Sequence, residues 1–249
     1  MIKQPVISVI TITFNASETL PLTMASVAEQ TFDGFEHLII DGASSDDTIL
    51  VARQMGTPGL RIVSEPDKGL YDAMNKGLRM ARGKYVVFLN SGDRFHDSGT
   101  LSLYAAAIAK KNPDIIYGDT CLMDISGNIK GPRHLSAPSI LTSDSFSRGM
   151  LICHQSFMVR KAIAPHYDTD YRFSADYDWT IRCIKASRPG GRVNLHAVVT
   201  DYLTDGLTDR NKRASLMERF RIMAAHYGMM RAIASHLSFI PRALKRGKL

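Results

Sequence analysis

The sequence has few cysteines and no long apolar run. Its three cysteines, Cys121, Cys153 and Cys183, are odd in number and are not spaced as zinc ligands usually are. We therefore expect buried free thiols in a reducing compartment rather than a disulfide framework. No apolar run is long enough to cross a bilayer, and the first residues lead directly into a strand pattern. We expect no signal peptide and a cytoplasmic location.

Two common nucleotide-binding fingerprints are also missing. The first predicted strand, residues 6–14, is not followed by Gly-x-Gly-x-x-Gly, and no phosphate loop ends in Gly-Lys-Ser/Thr. The first absence disfavours a nicotinamide-dependent dehydrogenase on a Rossmann sheet.

Acidic residues are scarce only at one end of the chain. The net charge is +7, from 31 Lys and Arg against 24 Asp and Glu. Residues 210–249 hold ten of the basic residues and a single acid, Glu218, a local charge of +9 that leaves −2 for the rest. A nearly neutral body argues against binding to nucleic acid.

Apolar strands alternate with helices through the first hundred residues. Residues 6–14, rich in β-branched side chains, and residues 84–89 are typical of strands buried on both faces. Between them we expect a helix capped by Asn15 or Ser17, a strand at 36–40, a helix at 48–55, a strand at 60–64 and a helix at 70–82. This order predicts an α/β fold, Rossmann-like, with a mainly parallel sheet flanked by helices.

The second half of the chain is less regular. We expect a helix at 100–111, a strand at 115–117, a hairpin with its tip at 126–128, an interrupted strand at 150–161, a helix at 174–182 and a strand at 190–202.

Carboxylates follow two of the predicted strands. Asp41 comes directly after the second strand and Asp93 after the fourth, at the edge where an open sheet places its ligand crevice. A carboxylate at that edge can hold a metal ion that carries phosphate charge. Helix capping is the alternative explanation for Asp41, and also for Asp46.

A third acid lies in the first turn of a predicted helix. Asp176 follows the capping candidate Ser174, and the helix dipole favours a carboxylate there. An acid fixed next to the sheet edge is suited to general-base catalysis. Alternatively, Asp176 and Asp178 are ordinary first-turn acids.

Five motifs together resemble a known family. In chain order they are SVITITFN, IIDGASSDDT, AMNKGLRMARGKYVVFLNSGD, ICHQSFMVRK and ADYDW, and they span roughly residues 5–210. They resemble the inverting glycosyltransferases of family 2, which have the GT-A fold. The subgroup to which the chain is most similar serves bacterial exopolysaccharide assembly of the colanic-acid type.

The resemblance implies that one sugar moves, with inversion, from a nucleotide-diphosphate sugar to an acceptor hydroxyl. It favours UDP and leaves GDP open, and the expected acceptor is a polyprenyl-linked saccharide. It implies that Thr13, Phe14 and Asn15 line the base and ribose, and that Asp41 accepts a hydrogen bond from the base. Ser44, Lys68 and Asn75 are the other residues implied to contact the nucleotide-sugar.

The resemblance also implies the chemical groups of the site. Asp93 matches the last acid of the family's Asp-x-Asp signature, which holds Mg²⁺ or Mn²⁺ on the diphosphate. Asp176 matches the general base of the Glu-Asp motif. The residues implied on the acceptor side are His154, Gln155 and Trp179, and those implied in the loop over the diphosphate are Gly206 and Thr208. His154 is alternatively a hydrogen-bonded core residue, and Trp179 is either a packing residue or a sugar platform.

Two motifs depart from the family pattern. The metal signature reads Asn90-Ser91-Gly92-Asp93, which lacks two of its usual acids. We expect modest metal affinity, since Mg²⁺ usually keeps several waters. The Glu-Asp motif reads Ala175-Asp176, which leaves Asp178 as an alternative base. The thinned acid signature keeps a second hypothesis open, a nucleotide-sugar binding module without catalysis.

The basic end of the chain is predicted to be a helical tail, residues 212–249. It follows a catalytic domain, residues 1–211, divided into a nucleotide-binding half (1–98) and an acceptor half (99–211). Apolar tail residues recur at helical spacing: Leu216, Phe220, Met223, Tyr227, Met230, Ala234 and Leu237. This basic amphipathic helix either packs on the body or docks peripherally on an anionic membrane surface.

Overall fold

A computed structural model describes residues 4–204 and 212–244, which form nine strands and seven α-helices. The strands are β1 Ile7–Thr13, β2 Phe35–Asp41, β3 Leu60–Ser64, β4 Tyr85–Phe88, β5 Arg94–Phe95, β6 Ile115–Met123, β7 Ile129–Pro132, β8 Phe157–Arg160 and β9 Arg192–Leu203. The helices are α1 Leu20–Ala28, α2 Thr48–Met55, α3 Leu70–Met80, α4 Thr100–Lys111, α5 Ala175–Ala186, α6 Lys212–Tyr227 and α7 Met229–Leu244.

All the strands belong to one sheet, in the order β3–β2–β1–β4–β8–β6–β9–β5, with β7 paired to β6. The first four strands pair in parallel. The register places Thr13 beside Asp41 and Asp41 beside Ser64. The carboxyl ends of three strands therefore lie side by side, and the predicted α/β class is confirmed.

The other half of the sheet is mixed. β8 pairs antiparallel with both β4 and β6, while β9 pairs in parallel with β6 and antiparallel with β5. The chain reverses because β6 connects to β8 through β7 and a long segment rather than through a crossover helix. The parallel pairing that we predicted thus holds throughout the first half of the sheet and recurs in the second half between β6 and β9.

Hydrophobic clusters cover both faces of the sheet. Alternate residues of β1 point to opposite sides, so that Ile10 and Ile12 pack toward α3, α5 and α6, while Val9 packs toward α1 and α4. The three cysteines are free and buried, as predicted.

Helix α1 begins later than predicted. Its N-cap position is Thr19, so neither Asn15 nor Ser17 caps it. Asn15 has a positive φ of 47°, which asparagine tolerates better than most residues. Its side-chain oxygen accepts a hydrogen bond from the N–H of Ser45 (2.9 Å). Asn15 therefore ties the end of β1 to the loop after β2.

The tail forms two helices rather than one, separated at Gly228, whose φ of 88° suits glycine. Met223 is buried on the body, and Phe220 and Tyr227 pack against the same cluster. The remaining large members of the predicted stripe are exposed: Leu216, Met230 and Leu237. The packing interpretation is therefore correct for α6, whereas α7 presents apolar side chains to solvent. Within the two described ranges, no helix combines the length and apolarity that a membrane crossing needs.

A buried histidine in β2 makes the fold sensitive to acid. His37 is fully buried, and its ring nitrogens contact the hydroxyls of Thr11 (3.0 Å) and Thr57 (2.8 Å). Burial lowers the pKa of His37 from 6.5 to about 3. Between these two values the unfolded chain binds a proton that the folded chain does not, so stability falls as the pH falls.

We expect the free energy of unfolding to fall by roughly 1.5 kcal/mol between pH 6.5 and about pH 5 on account of His37. The variant His37→Gln keeps hydrogen-bonding groups but cannot titrate, so it should lose that part of the pH dependence. The control is His196→Asn, at an exposed position with positive φ. Urea unfolding at both pH values measures the effect, and equal slopes for wild type and His37→Gln would contradict it.

Candidate active site

The loops that follow β1, β2, β3 and β4 meet along one edge of the sheet, and α5 brings its first turn to the same region. A hydrogen bond from the Tyr71 hydroxyl to Asp176 Oδ1 (3.2 Å) joins the start of α3 to the start of α5. The start of α5 therefore lies beside the start of α3, and the predicted convergence of Asp93 and Asp176 stays a prediction.

Asp41 is the centre of a closed hydrogen-bond network. Its buried carboxylate accepts hydrogen bonds from the hydroxyls of Thr13 (2.9 Å) and Ser64 (2.7 Å) and from the backbone N–H and hydroxyl of Ser44. Burial alone would raise the pKa of Asp41, but these hydrogen bonds outweigh burial and lower it. Four donors fill the acceptor positions of a carboxylate. The predicted contact between Asp41 and a base is corrected accordingly, because Asp41 instead holds the loops together.

A second aspartate, Asp67, lies beside this network and is partly exposed. Oδ1 of Asp67 accepts the N–H of Gly69 (2.8 Å), while no donor in the described ranges contacts Oδ2. Gly42 leaves space for that oxygen, since a Cβ there would lie 2.6 Å from Asp67 Oδ2 and 3.3 Å from the ring of Phe14. Phe14 is 67% exposed. These three residues form a surface with one aromatic ring and one free acceptor, which we call the Phe14–Asp67 pocket.

Asp93 is a buried carboxylate with one hydrogen bond on each oxygen. Oδ1 accepts the backbone N–H of Leu203 (2.9 Å), and Oδ2 accepts the side-chain amide of Gln155 (2.8 Å). Burial raises the pKa of Asp93 to about 7, and the two hydrogen bonds offset this only in part. A buried carboxylate with this pKa favours a compensating cation. Gln155, which we expected on the acceptor side, is itself buried and positions Asp93.

The first residue of the metal signature supplies another oxygen. In the part of the chain that the structure describes, Asn90 Oδ1 is buried without a hydrogen-bond partner. Asn90 and Asp93 share a tight turn, in which the Asp93 N–H donates to the Asn90 backbone carbonyl (3.0 Å). Buried polar atoms usually have partners, and amide and carboxylate oxygens suit Mg²⁺. The residues present therefore fit a hard divalent cation.

The two acids in the first turn of α5 differ in how far they are engaged. Asp178 is buried, accepts a hydrogen bond from Arg182 Nε (2.6 Å) and contacts His226 Nε2 of α6 (2.7 Å). Burial would raise the pKa of Asp178, but these two partners lower it. Asp176 is partly exposed, and its Oδ2 has no donor among the residues described. Asp176 is thus the acid with an oxygen free for proton transfer.

Tyr71 fixes the other oxygen of Asp176. Its side chain is buried in the core cluster beside α5. Burial, together with the charge of Asp176, holds the pKa of Tyr71 well above its usual value of 10. The hydroxyl therefore stays protonated and donates to Asp176.

His154 and Trp179 lie one layer below the site. Trp179 is fully buried, stacks on Tyr167 with ring centroids 4.8 Å apart, and donates to the carbonyl of Pro165 (2.7 Å). Its interpretation as a packing residue is correct, and that as a sugar platform is wrong. His154 is buried and contacts the Tyr167 hydroxyl (2.7 Å). Burial lowers the pKa of His154 to about 4, so this core histidine is neutral and does not face an acceptor.

The remaining residues that we expected to contact the nucleotide-sugar or its diphosphate lie in different surroundings. Asn75 is buried and uses its amide on the backbone of Tyr167, donating to the carbonyl (3.0 Å) and accepting the N–H (2.7 Å). It therefore anchors that segment and does not border a nucleotide-sugar. Lys68 is exposed in the loop after β3. Gly206 and Thr208 lie outside the described residues.

One short turn, His154–Ser156, contacts both Asp93 and α5, the helix that carries Asp176. The side-chain amide of Gln155 donates a hydrogen bond to Asp93. Burial lowers the pKa of the adjacent His154, and the negative charge of Asp176 partly offsets that lowering. The ring of His154 also packs against Trp179 of α5, at 5.4 Å between centroids. The same turn thus supports Asp93 directly and contacts the helix that carries Asp176.

The residues from β1 to the segment beyond β8 match one family model. The model described as glycosyl transferase family 2 covers residues 8–165, more than half of the chain. The chain belongs to glycosyl transferase family 2. It is therefore a glycosyltransferase, as the resemblance predicted.

Two relatives of this glycosyltransferase illustrate the range of the family. The PGL/p-HBAD biosynthesis glycosyltransferase of Mycobacterium tuberculosis is 34% identical over 206 residues, 80% of this chain and 77% of that protein. The UDP-Glc:alpha-D-GlcNAc-diphosphoundecaprenol beta-1,3-glucosyltransferase WfgD of Escherichia coli is 27% identical over 139 residues, 54% of each protein.

Two solved structures share the fold of this glycosyltransferase. TarS 1–349 of S. aureus in complex with UDP-GlcNAc has a TM-score of 0.70 at 18% identity, covering 96% of this chain and 72% of that one. Glucosyl-3-phosphoglycerate synthase of Mycobacterium tuberculosis, in complex with Mn²⁺, UDP and glucosyl-3-phosphoglycerate, has a TM-score of 0.60 at 17% identity and covers 90% and 81%. The predicted GT-A fold is confirmed.

Three residues of the site were not identified from the sequence. Asp67 lies in a loop with other charged residues, and no spacing distinguishes it. Tyr71 resembles any aromatic residue on the buried side of a helix. Asn90 did carry a signal, because it is a polar residue placed directly after a buried strand, as Asp41 is.

Proposed function

We propose that this family 2 glycosyltransferase is an inverting hexosyltransferase that moves one sugar from a UDP-sugar to an acceptor hydroxyl. One observation carries the proposal: the turn His154–Ser156 binds a buried carboxylate that favours a cation, Asp93, and also packs on α5, which carries an accessible carboxylate with a free oxygen, Asp176. A single inverting displacement needs one base and one site that stabilises the leaving group.

In this proposal Asp176 is the general base. The Tyr71 hydroxyl occupies Oδ1 and thereby leaves Oδ2 to take the proton of the acceptor hydroxyl as its oxygen attacks the anomeric carbon. A positioned base of this kind contributes about 10²–10⁴-fold to the rate. Because the displacement is direct, no carboxylate nucleophile is required.

Asp93 and Asn90 are proposed to hold Mg²⁺ or Mn²⁺. The bound ion supplies Lewis-acid stabilisation of the charge on the leaving diphosphate. Asp93 must be deprotonated to bind a cation, and its pKa of about 7 keeps metal affinity modest at neutral pH without the diphosphate. Exposed Lys68 and the loop with Gly206 and Thr208 are proposed to contact the diphosphate.

The Phe14–Asp67 pocket supports uracil as the base. The free oxygen of Asp67 can accept one N–H, and uracil offers one imide N–H between two carbonyls. Guanine offers two adjacent donors, which pair best with both oxygens of a carboxylate, but Gly69 already occupies the other oxygen. The ring of Phe14 offers a stacking surface. Thr13, Asn15 and Ser44 are proposed to shape the ribose side from behind this pocket.

The acceptor is proposed to be a lipid-linked saccharide. A relative is named for a diphosphoundecaprenol-linked substrate, which supports this class of acceptor. The exopolysaccharide setting, including the colanic-acid type, is part of the same proposal.

Asp176→Asn should abolish transfer, by at least about 10²-fold, while UDP affinity is unchanged, because the amide cannot take the proton. The assay measures UDP release from a panel of UDP-sugars with diphosphoundecaprenol-linked saccharides, with Mn²⁺ or with EDTA. Transfer is expected only with Mn²⁺.

The matched control for this experiment is Asp170→Asn, an exposed acid of the preceding loop. Full activity of Asp176→Asn would refute the assignment of the base. UDP-sugar binding by wild type without any transfer would instead support the non-catalytic binding module.

Asp67→Ala should weaken UDP binding about tenfold or more, as expected for a lost hydrogen bond to a charged acceptor, and should leave weak GDP binding unchanged. The control is Glu65→Ala, an exposed carboxylate two residues away. Calorimetric titration of both nucleotides measures the difference. Equal UDP affinity in wild type and Asp67→Ala would contradict the proposed base contact.

The tail is proposed to dock on an anionic membrane surface, which gives a cytoplasmic, peripheral location. Four apolar side chains of α7 are exposed, Met230 most of all at 81%; the others are Met229, Ile233 and Leu237. Positions 230, 233 and 237 share one side of the helix. The surrounding tail carries a charge of +9 over residues 210–249, which suits anionic lipid.

Replacing Met230 and Leu237 together by Glu should weaken binding to phosphatidylglycerol vesicles at least about tenfold, through lost apolar contact and added repulsion. Leu103→Glu, at an exposed apolar position of α4, is the control. Vesicle co-sedimentation of the full chain measures binding, with phosphatidylcholine vesicles for comparison. Unchanged binding by the double variant would exclude α7 as the docking surface.

A further inference from the structure

Three side chains outside the proposed reaction converge on the strands β5, β9 and β6. Asp201 of β9 is the register partner of Cys121 in β6 and of Arg94 in β5, so these side chains share one face of the sheet. His96 follows Arg94 by two residues and reaches the same carboxylate. The ligand atoms of His96, Cys121 and Asp201 all lie within 4.8 Å of one another.

Two of the three groups contact each other, and the thiol of Cys121 does not take part. Asp201 is fully buried, its Oδ1 contacts His96 Nδ1 (2.7 Å), and its Oδ2 accepts a hydrogen bond from Arg94 Nε (2.8 Å). Cys121 is buried, and its Sγ has no hydrogen-bond partner in the described ranges. Burial raises the pKa of Cys121, and so does the charge of Asp201, so the thiol is neutral unless a cation is present.

We propose that His96, Cys121 and Asp201 bind one Zn²⁺ ion. Imidazole nitrogen, thiolate sulfur and carboxylate oxygen are the zinc ligands of proteins, and a three-ligand site takes water as its fourth ligand. A cleft of about 300 Å³ opens beside His96 and Arg94, so His96 is the ligand of the three that borders solvent-accessible space. The donor set differs from the all-oxygen set of Asp93 and Asn90, so the two sites select different metals.

The geometry needs only a small adjustment. Ligand atoms of a tetrahedral zinc site lie about 3.5 Å apart, given zinc–ligand bonds of roughly 2.0–2.3 Å. Because the side chain of His96 is 35% exposed, it is the ligand that we expect to shift, by about an ångström, to close the site. Arg94 keeps its hydrogen bond to the second oxygen of Asp201, as outer partners of ligating carboxylates commonly do.

Charge and protons balance on binding. The ion replaces the thiol proton of Cys121, which passes to the solvent, and the hydrogen bond between His96 and Asp201 is replaced by two bonds to the metal. Zn²⁺ binding should therefore release at least one proton per ion.

The position of the site has a consequence for Asp93. β5 begins directly after Asp93, and β9 ends at Leu203, whose N–H binds Asp93 Oδ1. An ion that joins β5, β6 and β9 would fix both flanks of that carboxylate. It would also stabilise the folded chain, because it binds a site absent from the unfolded state.

The test is calorimetric titration of Zn²⁺ into the full, metal-free chain, in excess Mg²⁺ and in two buffers of different ionisation enthalpy. We expect one ion per chain, with proton release, and a higher midpoint of thermal unfolding. Co²⁺ in place of Zn²⁺ should give a thiolate charge-transfer absorption band.

Cys121→Ser should lose the absorption band, and both Cys121→Ser and His96→Ala should bind Zn²⁺ at least about tenfold more weakly. Cys183→Ala, at a buried cysteine of α5, and Asp93→Asn should keep the band and the affinity. Because His96 is exposed, its replacement tests the site without disturbing the core. The proposal would be overturned by the absence of stoichiometric Zn²⁺ binding to wild type, or by Zn²⁺ affinities of Cys121→Ser and His96→Ala that equal the affinity of wild type.

Discussion

The buried carboxylate of Asp93 joins the mixed half of the sheet to the end of β4. Its two hydrogen bonds come from Gln155, just before β8, and from Leu203, at the end of β9. Both donors reach Asp93 only because β8 inserts antiparallel between β4 and β6, and because β9 runs long enough to pair with β5. The departure from parallel pairing is therefore what builds the pocket around this acid.

Sequence patterns predicted the first half of the fold well because each signal was local. Runs of β-branched residues marked the central strands, and the alternation with helices implied parallel pairing. The pairing of the second half was not predictable in this way, since it depends on contacts between distant segments. The break of the tail at Gly228 did carry a local signal, a glycine within a helical stripe.

The sequence predicted which residues lie in the candidate site better than it predicted the role of each of them. Asp93 and Asp176 were identified by their places after a strand and in the first turn of a helix, and the family resemblance supplied the roles that we propose for them. The roles of Asp41, Asn75 and Trp179 could not be read from the sequence, because a sequence does not say which donors a side chain will meet or how deeply it lies. In each case hydrogen bonding or burial within the chain satisfied a group that we expected to face a ligand.

Helix α3 belongs to the first half of the chain, but two of its side chains form hydrogen bonds with residues of the second half. The Tyr71 hydroxyl donates a hydrogen bond to Asp176, and the side-chain amide of Asn75 both donates to and accepts from the backbone of Tyr167. The two halves are therefore not exchangeable modules. A chimera that joins this first half to the second half of a relative keeps these contacts with the proposed base and its surroundings only if that relative offers matching partners to Tyr71 and Asn75. Recombination within the family is therefore restricted by one face of a single helix.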